Sequence, residues 1–162
     1  MAWSRPFFQF LLPLLVLGLI LRFFFIQSLM VHTSRFDPHL LKGDLVLGSK
    51  ISKPHRGDFV AFDCLSHGVC VGRILGKSGD RLDFEGDLVL INRTTQQELK
   101  LSDATRLEPG SFVVGPEHYF LEGDESGEVP EPQIRSVLKW VFVSVDPESR
   151  TWRPSRTLWS IH

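Results

Sequence analysis

The sequence predicts a mainly β domain of barrel or sandwich type carried on one N-terminal transmembrane helix. Three observations predict it. The stretch from Phe7 to Ile26 is almost unbroken in apolar character, the chain after residue 38 breaks into short apolar runs, and Gly, Asp or Pro stands between those runs. The expected division is an anchor over residues 1–30 and a β domain over residues 31–162.

The N-terminal stretch is interrupted only by Gln9, Pro13, Gly18 and Arg22. Twenty helical residues rise about 30 Å, the thickness of a bilayer's hydrocarbon core. Arg22 sits four residues from the end, where its stem can carry the charge to the headgroups. A cleaved secretory leader is the competing reading, but only Arg5 precedes the run and no small-x-small site follows it. Basic residues give a different signal for orientation. Arg22, Arg35, Lys42 and Lys50 follow the span, a bias that by itself places the body in the cytoplasm.

In the body, Leu45-Val46-Leu47, Phe59 to Phe62, Val71 to Leu75, Leu88 to Ile91, Phe112 to Val114, Tyr119 to Leu121 and Trp140 to Val145 read as strands. No long apolar period of 3.6 follows residue 40. Five Gly-Asp pairs begin or end the runs, and each taken singly is ordinary turn chemistry. Cys64 and Cys70 flank five residues of an expected hairpin loop. Their alternatives are a disulfide outside the cytoplasm or two thiols within it; with His67 alone between them they make a poor metal site. The 18 basic and 19 acidic residues nearly cancel, and no basic run marks a nucleic-acid partner.

Order and spacing carry a resemblance. Leu21 to Asp44, with Arg22, Pro38, Leu40 and Gly43-Asp44 in register, resembles the catalytic segment of signal peptidase I, an Arg closing the membrane helix followed by Ser-Met-x-Pro-Thr-Leu and Gly-Asp. Lys50 and Gly57-Asp58-Phe59-Val60 resemble that family's next block. Gly72-Arg73-Ile74-Leu75-Gly76-Lys77-Ser78-Gly79-Asp80 is similar to its Lys-Arg-Ile-x-Gly-x-Pro-Gly-Asp. Gly123-Asp124, Gly127-Glu128-Val129-Pro130 and the Trp-containing end resemble later blocks.

The resemblance implies a serine nucleophile and a lysine base, and both expected positions hold something else. Three residues before Pro38 stands Arg35, a cation that neither attacks nor accepts a proton. Before Arg73-Ile74 stands Gly72. The loop that family members place after Gly-Asp-Asn is shortened to Glu125-Ser126. Fallback groups are Ser34 with Lys77, while Lys42, Lys50, His32 and His39 are further candidate bases. Phe36, Pro38, Arg73 and Ile74 are the expected substrate-groove residues. Arg35 is a solvated charge or a ligand for lipid phosphate or carboxylate. Trp140, Trp152 and Trp159 are interfacial or core.

The expectation is a signal peptidase I-like membrane protein without catalysis, binding extended peptides, with no cofactor and no metal. An active peptidase with a relocated dyad, cutting signal peptides or pilins, and a structural envelope subunit are the alternatives. Implied partners are the lipid bilayer, signal peptides, preproteins or a translocation or envelope complex. The implied location is a bacterial inner membrane, single-pass, with the β domain on the periplasmic face.

Overall fold

A computed structural model of the protein describes residues 4–64, 68–85, 88–92, 98–100, 110–123 and 125–161. Helix α1 (Ser4–Phe25) leads directly into β1 (Ile26–Met30). The described side chains over residues 9–20 are all exposed. Among the described residues no helix is long and apolar enough to cross a membrane, so the expected span is not found in the structure.

Twelve strands are described. The larger sheet runs β1, β2 (Asp44–Ser49), β11 (Ile134–Ser144), β3 (Phe59–Cys64), β4 (Gly68–Lys77), β9 (His118–Gly123), β10 (Gly127–Pro130), with β12 (Trp159–Ser160) also on β11. The smaller sheet runs β7 (Glu98–Lys100), β6 (Leu88–Ile91), β5 (Arg81–Glu85), β8 (Gly110–Val113). The chain is thus mainly β, with the apolar runs read from sequence lying in strands. The sheet also takes in residues 26–30, which the sequence assigns to the anchor: β1 pairs antiparallel with β2 from Ile26↔Ser49 to Met30↔Leu45. Five residues after Phe25, three of them apolar, suffice for a strand because the neighbour supplies the ladder, a long-range effect no local pattern carries.

Alternation divides the buried side chains of β3 and β4 between two faces. Phe59, Ala61 and Val71 join Val31, Phe36, Leu40, Val46, Leu138 and Val141 in one cluster. Val60, Phe62, Cys70 and Ile74 join Leu121, Val129 and Val137 in the other. A third cluster, with Leu75, Leu82, Val89 and Phe120, joins the second sheet to the end of β4.

Cys64 and Cys70 are bridged at the loop end of the β3–β4 hairpin, with Cα atoms 5.8 Å apart. Closing so short a loop removes little chain entropy. The Cys64→Ser/Cys70→Ser variant is therefore expected to lose only about 2 kcal/mol, read as a lower denaturant midpoint with an unchanged m value.

The Gly-Asp pairs share one device. In Gly43-Asp44, Gly57-Asp58 and Gly79-Asp80 the Asp carboxylate accepts the amide three residues back, from Leu41 (3.0 Å), His55 (2.9 Å) and Lys77 (2.8 Å). Gly43 has φ +91°, and a Cβ there would lie 2.0 Å from the Val145 carbonyl oxygen, so glycine is required twice over. A cation from elsewhere then meets each carboxylate. Arg56 takes Asp80 with both Nε and Nη2. Lys139 lies 3.9 Å from Asp58.

Burial pushes the Asp80 carboxyl up, but the Arg56 guanidinium, the Lys77 amide and the Asn92 side chain together hold it below the usual carboxylate range. A depressed folded pKa contributes stability that is fully present above the unfolded carboxyl's titration. It is lost as pH falls through that range toward the folded value. Asp80→Asn should therefore flatten the acid limb of the stability–pH curve below about pH 4, measured by urea unfolding from pH 7 down.

Candidate functional site

The loop between β1 and β2 carries the Arg35 to Leu40 segment. Residues 35–39 form a turn, the Asp37–Pro38 peptide is cis, and the Leu40 amide donates to the Phe36 carbonyl at 3.0 Å. Phe36 is buried and meets Phe59 of β3 edge-on, with ring centroids 5.2 Å apart. Phe59 pairs with Arg73 across β3 and β4, and the Arg73 guanidinium lies over the Phe59 ring at 5.9 Å. Arg73 is in turn the register partner of Glu122 on β9, a fully buried acid. The loop, Phe59, Arg73 and Glu122 thus lie along one line across the sheet.

Of the expected groove residues, Phe36, Pro38 and Arg73 are brought to this line, Pro38 exposed and Arg73 half-buried. Ile74 is not. It is fully buried beside Val60 and Leu121, because strand alternation turns it away from the face that Arg73 presents. Phe36 is core rather than a wall open to ligand.

Gly72 stands opposite Gly123 in the antiparallel ladder of β4 and β9. A Cβ on Gly72 would meet Phe62 Cε1 at 3.0 Å, the Glu122 carbonyl oxygen at 3.2 Å and Leu121 Cβ at 3.4 Å. A Cβ on Gly123 would meet the Val71 carbonyl oxygen at 2.7 Å. The space a longer side chain at 72 would enter is filled by the second core.

The fallback pair is not brought together. Ser34 is exposed, and its carbonyl accepts the Asp37 amide at 3.3 Å. Lys77 is exposed at the far end of β4, past a bulge between Ile74 and Gly76, and belongs to the Asp80 turn. Four residues of strand separate it from Arg73, about 13 Å. Arg35 is half-buried, with its amide on Thr33 Oγ1 at 3.2 Å. The other candidate bases are spread as widely. His32, Lys42 and Lys50 are exposed, and the His39 ring lies tilted against Phe59 at 5.9 Å. Trp140, Trp152 and Trp159 are all exposed by about half or more. Among the described residues no group of three or more His, Cys, Asp or Glu is placed to hold a metal.

What fastens this loop comes from the far end of the chain. Arg156 donates from Nη1 to the Pro38 carbonyl (2.8 Å) and from Nη2 to the His39 carbonyl (2.9 Å) and Asp44 Oδ2 (3.1 Å). Ser144 Oγ donates to the other oxygen of Asp44. Asp44 is fully buried and Arg156 nearly so, and the guanidinium stacks on Trp159 at 4.6 Å. Sequence reasoning missed this hub. The only local signal was Gly43-Asp44, which an ordinary turn explains equally well.

The sequence model of the family described as "Signal peptidase, peptidase S26" matches residues 4–131. The chain belongs to the signal peptidase family. No curated protein matches it. The signal peptidase match ends at residue 131, so it takes in the Pro38 loop, β4 and the Gly-Asp turns. It stops short of β11 and of Arg156, the residue that ties the loop down.

Proposed function

We propose that this signal peptidase family member binds extended, signal-peptide-like segments at a membrane and does not cleave them. One observation carries the reading: the position that the family resemblance gives to the base is a glycine at which even a Cβ would stand 3.0 Å from Phe62 and 3.2 Å from the Glu122 carbonyl oxygen, so a side chain there crowds its neighbours. A second arginine-for-serine change at the nucleophile position, Arg35, agrees with it. Acyl transfer needs an activated hydroxyl, a neutral base within hydrogen-bond reach and aligned oxyanion donors. Ser34, exposed in the loop between β1 and β2, and Lys77, exposed at the end of β4, do not supply the first two.

Binding needs less. An extended peptide can add itself to an open strand edge, its main chain supplying hydrogen bonds and its alternate side chains the selectivity. β1 has a strand partner on one side only among the described residues, and it leads straight into the Pro38 loop. The exposed apolar side chains of α1, with Phe10, Leu12, Leu14 and Leu15 each showing more than half their surface, favour burial in lipid. The Cys64–Cys70 bridge favours an oxidising compartment. Together they support a β domain on the periplasmic face of a bacterial inner membrane, against the bias of the basic residues.

The test uses the purified full chain in detergent with a preprotein whose signal peptide carries a photo-crosslinker. The expected result is a covalent adduct on β1 or residues 31–40 with no shortened product. A shortened product that disappears in Ser34→Ala overturns the proposal. A C-terminal reporter active only outside the cytoplasm tests the orientation.

A further inference from the structure

The Pro38 loop is held by a segment that is itself fastened on both sides. Before Arg156, the Arg153 amide donates to the Ser144 carbonyl at 2.9 Å; after it, the Ile161 amide donates to the Lys139 carbonyl at 2.9 Å. Both acceptors belong to β11, and Trp159 and Ser160 pair with that strand. Between the two fastenings the chain makes a 3₁₀ turn, Pro154–Arg156, and then passes through Leu158, whose φ of +62° lies in the left-handed region. A leucine held there is strained, and such strain persists only where the surrounding structure imposes it. Arg156 is thus presented to the loop from a bracket on the sheet. A buried Arg–Asp pair adds little net stability over well-packed apolar side chains. What it adds is direction, because the planar guanidinium aims its N–H groups at the Pro38 carbonyl, the His39 carbonyl and Asp44 at once.

We propose that Arg156 is a positioning residue for the peptide site. It fixes the main chain at residues 38 and 39, and so keeps Phe36 and the His39 ring seated on Phe59 before a peptide arrives. Preorganising a binding loop removes the cost of ordering it on association. A peptide meeting the loop without this clasp has to supply that ordering from its own binding energy. The inference rests on the peptide-binding reading. It adds that residues 153–161, beyond the family match that ends at residue 131, belong to the machinery of the site.

The experiment uses the full chain in detergent with the same photo-crosslinking preprotein, and maps the adducts. Wild type is expected to carry adducts on both β1 and residues 31–40. Arg156→Ala should weaken binding about tenfold, the effect of losing a hydrogen bond to a charged group. It should also lower the loop's share of adducts relative to that of β1. This ratio does not depend on how much of the protein is folded, so a loss of stability alone leaves it unchanged. Leu82→Ala, in the core beneath the second sheet, is the control: it destabilises at a distance and should keep both affinity and ratio. Where Arg156→Ala does not fold, Trp159→Ala carries the test. It removes the ring stacked on the guanidinium and should weaken binding about threefold, with the same change of ratio. A wild type that forms no adduct overturns the peptide-binding reading and this inference with it. Adducts confined to β1 in wild type overturn this inference alone. So do loop adducts that persist in Arg156→Ala and Trp159→Ala, or that fall equally in Leu82→Ala.

Discussion

Arg156→Ala is expected to destabilise the protein by about 3–5 kcal/mol, the cost of leaving one member of a buried ion pair without the other. The variant strands the Asp44 carboxylate, which has no exposed surface, and leaves the Pro38 and His39 carbonyls without their donor. Chemical denaturation reads the loss. Hydrogen exchange locates it: the Leu40 and Leu41 amides, bonded to the Phe36 carbonyl and to Asp44, should exchange much faster, while β5 and β6 of the second sheet keep their protection. Arg156→Lys should recover little. A single ammonium cannot present the planar fork that spans two carbonyls and a carboxylate from one position. Unchanged exchange in the loop would mean that the tail merely rests on it.

The second large effect is expected from placing a serine and a lysine at the two positions to which the resemblance assigns the dyad. Arg35→Ser/Gly72→Lys restores both residue types, yet no peptide cleavage is predicted. The new side chain begins against Phe62 and the Glu122 carbonyl and points into an apolar core. Overpacking such a site costs about 1–3 kcal/mol, and an unpaired buried ammonium adds several more unless it stays neutral. The Gly72→Lys single variant should therefore lose about 4 kcal/mol or fail to fold. Pairing it with Phe62→Ala, which vacates the space, separates the two causes to which the proposal assigns the expected lack of cleavage. Cleavage by the triple variant would show that only packing had silenced the site. Continued silence would show that the loop holds residue 35 out of reach as well.

How much of this was legible beforehand depends on the range of the interaction concerned. The strands of the body declare themselves through runs such as Phe59 to Phe62, whose β-branched and aromatic residues lie between glycine-aspartate turns. Each turn is a four-residue event, Asp44 to Leu41 or Asp80 to Lys77, and so is written locally. β1 was not legible. Ile26 to Met30 continues the apolar character of α1, and only the β2 ladder makes those residues strand. The burial of Ile74 was not legible for a related reason. Its neighbour Arg73 faces Phe59, and alternation therefore sends Ile74 to the opposite core. That assignment needs to know which face of β4 the Pro38 loop covers.

By itself the sequence determined the family and the β character of the body, because residue type and spacing are properties of the chain. Only the tertiary structure decided that position 72 is crowded by Phe62 and the Glu122 carbonyl, that the cysteines are joined, and that Arg156 holds the Pro38 loop from 112 residues beyond Asp44. Those outcomes depend on atoms brought together across the sheet, where a contact is fixed by which strands pair and which faces they bury.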